Sequence, residues 1–478
     1  MTSNELPQTD SYYDARRQQN GSWLNGWLPN VAIVGSIIVL LAAIMMPLWL
    51  PGAIRRVVPD RYLIAYAPPG LQSILFNIDP NKTLPTPMPG GEPGDPLAAV
   101  GVDGATPWPT LEAITSEPGA AASSAAGSAA EATAAIAIPA TQEPAFATAT
   151  PEPVFIPGEA LLTGMAHVPQ GYNMCGPATM TTYLSFYGSG LGQNDVGREI
   201  KPHPEDSNVR PDELADFARS QGYGAVMRIN GTLDTLKALI AAGYPVMIER
   251  GFDELPDEGW MGHYMLMIGY SDATGEFIAM DSYWGTNRRH DDPSFPVDRW
   301  EYGRFDALWQ DFNRTYIVVY PAQQQAEIAR ILGPEMDDAT MLAGALNRTL
   351  AETQADPNDP FAWFNLGEIY NALGTYPEAA AAFDQARQLG TPWRTMWYRF
   401  GPYEAYFHVG RYDDVVALAR ATTDPSNYPE SEEAFYWMGK VFEARGDSRN
   451  ARAMYQKALQ YNQHYLVAQS ALNALGDG

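Results

Sequence analysis

The chain has 478 residues, 46% of them hydrophobic, with 30 basic side chains against 56 acidic ones and a single cysteine. That length suits about two to four folding units, and a net charge of -26 argues against a nucleic-acid partner, which needs a basic face. One cysteine excludes an internal disulfide and any multi-thiolate zinc site.

Residues 1–30 read as an N-terminal tail. No residue between Arg17 and Arg55 is charged, and 31–50 is apolar apart from Gly35, Ser36 and Pro47. About 20 such residues span a hydrocarbon core of roughly 30 Å, and Trp23, Trp27 and Trp49 sit where indole rings favour the interface. A single transmembrane helix is expected over 31–50. Arg55, Arg56 and Arg61 outnumber Arg16 and Arg17, which by itself places the following chain in the cytoplasm. The composition of 51–159 points the other way. It is a juxtamembrane segment and then a Pro-, Ala- and Thr-rich linker without apolar periodicity, expected to be a flexible tether. Tethers of that composition commonly hold domains off a cell surface, so an extracytoplasmic C-terminal portion on a single-pass anchor in the cell membrane is expected.

From 160 to 321 short helical patterns alternate with apolar strand-like runs and glycine turns, as in an α+β domain. From 322 to 478 the pattern is helical and repetitive. Trp363, Leu366, Gly367, Tyr370, Ala379, Phe383 and Ala386 are echoed by Gly439, Gly446, Ala451, Tyr455 and Ala458, with Gly410 and Tyr412 midway. Gly439 follows Gly367 by 72 positions, so the period is 36. Small residues at those places let antiparallel helices approach closely and neighbouring pairs stack. This resembles the tetratricopeptide repeat, which implies an all-α solenoid that docks a protein partner. The first unit fits well, the third fairly well, and the second is degenerate, with Pro402 at the leucine slot. A helix over 341–355 reads as the back half of an earlier repeat, and 465–475 as a capping helix.

The lone cysteine lies in the run PQGYNMCGPA, from Pro169 to Ala178. A helix-length run follows, and Pro177 suits a first helical turn, where a missing N–H is harmless. Cys175 is therefore expected at a helix N-terminus, where the macrodipole favours a thiolate. Gln170 can supply a side-chain amide to an oxyanion hole beside the Cys175 N–H. A nucleophilic cysteine needs a base. Among six histidines, His263 stands apart because it heads an apolar strand-like run to Tyr270. Residues 271–275 then read as a turn and 276–281 as a returning strand. If Tyr270 pairs with Thr274, His263 faces Asp281 with Cβ atoms about 4.5–5.5 Å apart. A loop one residue longer moves the partner to Ser282, and Asp272 and Asn287 are further candidates for the third member. His167, Asp195, His203 and Asp206 lack a compact metal-ligand spacing. No metal or cofactor is expected.

The stretch 168–188, the Gly-Tyr-Pro-Val-Met-Ile run at 243–248, Gly262-His263-Tyr264 and Met280-Asp281-Ser282 follow in an order similar to papain-like peptidase family thirty-nine. That family includes the leader peptidases of bacteriocin exporters and stand-alone exported relatives, and the likeness covers about a third of the chain. The resemblance implies Cys175 as nucleophile, His263 as general base and acid, Asp281 as its orienter and Gln170 as oxyanion donor. Two departures stand out. No ABC transporter follows, and Ser282 and Tyr283 succeed the aspartate where relatives often have Asp-Pro. The expectation is a membrane-anchored cysteine peptidase acting on a peptide or protein. Two alternatives stay open: an inactive surface-displayed peptide-binding scaffold, or another thiol acyl transfer such as amidase chemistry.

Overall fold

Alternating side chains in neighbouring strands sort the α+β region into two apolar layers. In β3 (Val246–Phe252), β4 (Met261–Ser271) and β7 (Tyr316–Pro321), residues Val246, Ile248, Met265, Met267, Tyr316 and Val318 enter one core. Met247, Leu266, Ile268, Ile317 and Val319 enter the other. This period of two is what a sheet covered on both faces demands. The computed structural model describes residues 79, 81–88, 155–203, 206, 208–253, 259–283, 297–423 and 431–476. All of these but 79 and 259 fall in one compact unit. The membrane span expected over 31–50 lies outside the described residues, as does most of the linker. Among the described residues no helix is long and apolar enough to cross a membrane.

The sheet has seven antiparallel strands in the order β2-β7-β3-β4-β5-β6, where β2 is Tyr223–Arg228, β5 Glu276–Asp281 and β6 Asp298–Glu301. The short β1 (Glu159–Leu161) pairs with the far end of β4. One face is covered by α1 (Cys175–Phe186), α2 (Gln193–Ile200) and α3 (Pro211–Ser220), whose Met180, Tyr183, Leu184, Val196, Leu214 and Phe217 fill the core beneath them. On the other face lie α4 (Leu233–Ala241), α5 (Tyr302–Gln310) and α6 (Gln325–Leu332).

Paired helices follow. α7 (Asp338–Ala355) leads into α8 (Pro360–Ala372) with α9 (Tyr376–Gln388), then α10 (Gly401–His408) with α11 (Tyr412–Thr422), then α12 (Glu432–Ala444) with α13 (Ser448–Tyr461). The final helix is α14 (Leu466–Ala474). The repeat signature acts as its spacing implies. A Cβ on Gly367 would stand 2.6 Å from the Phe383 ring, and one on Gly439 would stand 2.4 Å from the Tyr455 ring. Each glycine is thus the slot for its partner helix's aromatic. The middle pair departs from the pattern. A 3₁₀ turn, Trp393–Trp397, precedes an α10 of only 8 residues that starts at Gly401-Pro402, because prolines at 392 and 402 permit a helix start but not a helix interior.

The first helices of the pairs, with the segment just before α10, hold the peptidase-like domain. Asn365 of α8 donates to Gln310 O (2.8 Å), Arg399 donates to Asp311 O (2.8 Å), and Arg210 pairs with Glu433 of α12 at 3.1 Å.

Candidate active site

Cys175 is the first residue of α1, with Met174 as its N-cap and Pro177 in the first turn. The approach is shaped by Asn173, whose backbone is left-handed at φ 54°, a conformation Asn tolerates better than most residues. Asn173 Nδ2 donates to Asp206 O (2.6 Å), and Lys201 Nζ donates to Asn173 O (2.7 Å). Gln193 grips the loop before it, accepting from Gly171 N–H (2.8 Å) and donating to Pro169 O (2.9 Å). Cys175 as a residue is half-buried. Met174, Gln193, Asp195, Arg198 and Lys201 line a cleft of about 890 Å³, whose lining includes neither Cys175 nor His263.

The hairpin carrying the histidine forms, but in another register. Ser271 pairs with Glu276 across a four-residue turn, and Ile268 is an extra residue between the Met267–Ala279 and Gly269–Ile278 pairs. Asp281 consequently opposes Met265, and the expected direct pairing of His263 with Asp281 is not made. The turn is the cause: pairing Ser271 with Glu276 in place of Tyr270 with Thr274 shifts the ladder by three residues, and the bulge at Ile268 takes back only one of them. The two side chains still share a face as diagonal neighbours, a separation that long side chains bridge. His263 Nε2 and Asp281 Oδ1 are 2.7 Å apart, which leaves Nδ1 for the thiol. Asp272 is bonded to Lys237 and Tyr302 at the turn end of the hairpin, away from Cys175, and Asn287 lies outside the described residues.

Charges at the site pull in one direction. Burial pushes the Cys175 thiol up, yet a hydrogen bond and charge from His263, the Lys201 ammonium and the Tyr264 backbone bring it below its ordinary value. Burial lowers His263, but the Asp281 carboxylate, then the Cys175 sulfur, carry it up to about 9. Both shifts favour a thiolate–imidazolium pair at neutral pH.

Four contributors take roles that the sequence did not assign to them. Arg250, fully buried, lies directly across the ladder from His263 and places Nη2 3.9 Å from Asp281 Oδ2. Its guanidinium is also 4.2 Å from the Trp300 ring. Ser282 donates its hydroxyl to Gln170 Oε1 (3.0 Å) and its carbonyl accepts from Gln170 N–H (2.8 Å). With Oε1 engaged, the Nε2 group is the end of Gln170 that can donate. Lys201 is the third. The fourth, Tyr398, comes from the repeats: its ring packs against Gly262, and its pKa is raised by burial and by the nearby Cys175. A Cβ at Gly262 would meet Phe312 at 2.6 Å and Tyr398 at 3.0 Å, so glycine before His263 makes room for this ring. A signal for it existed only in the Gly262-His263 pair itself. Among the described residues no group of histidine, cysteine and acidic side chains has metal-binding geometry.

A thiol at a helix N-terminus, with an imidazole near it that is itself hydrogen-bonded to a buried carboxylate, resembles the arrangement of papain-like cysteine peptidases. In accord with it, residues 160–315 match the model of the Peptidase_C39 like family. Residues 362–388 and 433–462 match tetratricopeptide repeats, the first and third units of the array. Among curated proteins none matches the chain. Similar solved structures include a putative C39-like peptidase from Bacillus anthracis, at 15% identity over 34% of this chain and 96% of that one, TM-score 0.27. The peptidase domain of Streptococcus ComA, a bifunctional ABC transporter, is 21% identical over 32% and 96%, TM-score 0.25. Xylellain, a cysteine protease from Xylella fastidiosa, is 14% identical over 35% and 87%, TM-score 0.27.

Proposed function

We propose that this protein is a membrane-anchored cysteine peptidase. The observation that carries the reading is the placement of Cys175 at the start of α1 with His263 close enough to bring its thiol below the ordinary value, and of His263 Nε2 2.7 Å from the buried Asp281 Oδ1. Cys175 thiolate attacks a peptide carbonyl, forming a C–S bond as the carbonyl oxygen takes up the electron pair. Gln170 Nε2 and the Cys175 N–H hold that oxyanion. Collapse of the intermediate breaks the C–N bond, and the His263 imidazolium gives its proton to the leaving amine. Neutral His263 then removes a proton from water, which attacks the thioester and returns the sulfur as thiolate. Asp281 fixes the imidazole tautomer throughout, and Arg250 and the Tyr283 N–H (2.7 Å) hold Asp281 in place.

The anchor rests on the charge-free apolar run at 31–50, and extracytoplasmic placement of the peptidase and repeats rests on the composition of the linker. The repeats would dock a protein partner or substrate. Turnover of a mixed peptide library by the purified chain, abolished in Cys175→Ala with fold retained, is the expected result. A wild-type chain as silent as Cys175→Ala would leave a peptide-binding scaffold as the better reading. Protease added outside intact cells should cut the repeats; protection until lysis would reverse the proposed orientation.

A further inference from the structure

Residues 81–88, with the sequence NKTLPTPM, are separated from the peptidase-like domain by a long run of linker. They nevertheless lie extended across the repeats as a ligand lies on a receptor. Thr83 forms an antiparallel bridge with Pro392, flanked by Leu84 N–H to Thr391 O (2.9 Å) and Trp393 N–H to Lys82 O (3.2 Å). Leu84 is 2% exposed and joins the repeat core that contains Phe383 and Trp393. The Lys82 ammonium sits 4.7 Å from the centre of the Trp393 ring.

The next residues are held by a buried ion pair. Arg387 at the end of α9 donates to Pro85 O (2.7 Å) and Thr86 O (3.0 Å), and also to Asp414 Oδ1 of α11 (2.8 Å). The same carboxylate oxygen accepts from Met88 N–H (3.2 Å). Arg387 and Asp414 are both almost wholly buried. A buried pair of this kind is stable only when its remaining hydrogen-bonding capacity is met. Arg411 donates to Asp414 Oδ2 (2.8 and 2.9 Å), and the segment's backbone takes up the remaining donors of Arg387 and adds one bond to Asp414 Oδ1. Pro85 and Pro87 keep the backbone extended and its carbonyls outward, which lowers the entropy lost on docking. Main-chain bonds give affinity and one apolar pocket gives selectivity, the logic of peptide recognition. This groove is formed by second helices of the pairs, whereas α8 and α12 face the peptidase-like domain.

We propose that the groove between the end of α9 and the start of α11 is a binding site for extended Leu-Pro-x-Pro peptides, filled in cis by residues 81–88. The inference is independent of the chemistry at Cys175. A linked segment competes at an effective concentration on the order of millimolar, so an outside peptide meets a mostly filled groove until the segment is released.

The test uses the full chain in detergent and a fluorescent peptide of sequence NKTLPTPM. Hydrogen exchange should find the Leu84 and Trp393 amides protected in the wild-type chain. The Leu84→Asp chain should bind the labelled peptide about tenfold or more tightly than the wild-type chain does, and a peptide carrying aspartate in place of the leucine should not bind. Unprotected amides over 81–88 in the wild type overturn the proposal, as does a folded Leu84→Asp chain that ignores the peptide. Should Leu84→Asp unfold the repeats, excess unlabelled peptide added to the wild type decides. Faster exchange at Leu84 supports displacement, and unchanged exchange overturns it.

Discussion

The Cys175 sulfur is subject to opposing pulls: burial favours the neutral thiol, while His263, Lys201 and a backbone bond favour the anion and prevail. The balance depends on His263 keeping its proton, and Asp281 secures that up to about pH 9. Hydrolysis needs the thiolate to attack and the imidazolium to protonate the leaving amine. Peptide turnover should therefore be high near neutral pH and fall on the alkaline side with a midpoint near 9, as free His263 loses the proton it must donate. A pH profile of kcat/KM checks this, and an alkaline midpoint near the ordinary histidine value would show that Asp281 does not support the imidazolium. Cys175, His263, Asp281 and Gln170 could be picked out of the sequence because each sits in a local pattern: a Pro-marked helix start, a Gly-flanked strand, a returning strand. Arg250 and Lys201 could not, because their importance comes from neighbours far along the chain.

At the level of elements, the hairpin shows how a correct pairing can be reached through an incorrect register. Alternation in 263–270 and 276–281 identified both strands, yet nothing local in those residues announced the extra residue at Ile268 or the turn that closes at Glu276. The outcome survived because a histidine and an aspartate can meet across a diagonal. The repeat helices were easier to read, since Gly367 and Gly439 recur with their aromatic partners at fixed spacing. That spacing has an energetic meaning that can be measured. Gly439→Ala would drive a methyl into the Tyr455 ring, and overpacking of this sort costs about 1–3 kcal/mol. Chemical denaturation should show that loss, whereas substitution at Gly410, where no atom lies within 4 Å of a new Cβ but φ is 77°, should be felt through backbone strain alone. Equal stability of Gly439→Ala and wild type would mean that the helix pair tolerates separation. Residues 81–88 escaped the sequence reading altogether: a Pro- and Thr-rich octet looks like linker, and its seat, the Leu84 pocket with the bridge at Pro392 and the Arg387–Asp414 pair, is assembled from residues about 300 positions away.

Over the whole molecule, the peptidase-like domain and the repeats share an interface dense in buried carboxyls. Burial, then neighbouring Glu433 working against Arg210, takes Glu213 from 4.5 to about 7. Burial takes Asp311, bonded to Trp260 Nε1 (2.7 Å), from 3.8 to about 8. Asp206, Glu432 and Glu433 are pushed up as well, by burial first. A carboxyl whose folded pKa is raised binds more protons folded than unfolded at intermediate pH. Its contribution is present in full below the unfolded value and drains away as pH rises through the folded one. Thermal unfolding should accordingly show a lower Tm at pH 8 than at pH 6, the loss falling in the window that closes near 7 for Glu213 and 8 for Asp311. A Tm that climbs over that range would place these carboxyls in a more hydrated interface. Because Tyr398 crosses from the repeats to the strand of His263, loosening of this interface also reaches the site.

The reading as a peptidase depends above all on an ionised sulfur sustained by His263. The rate at which a small alkylating reagent modifies Cys175, followed against pH in the wild-type chain and in His263→Ala, measures that pairing without any knowledge of the substrate. The account predicts rapid modification already at neutral pH in the wild type. In His263→Ala it predicts a slow reaction that becomes fast only as pH nears the range of an ordinary thiol. Identical profiles for the two chains would contradict it.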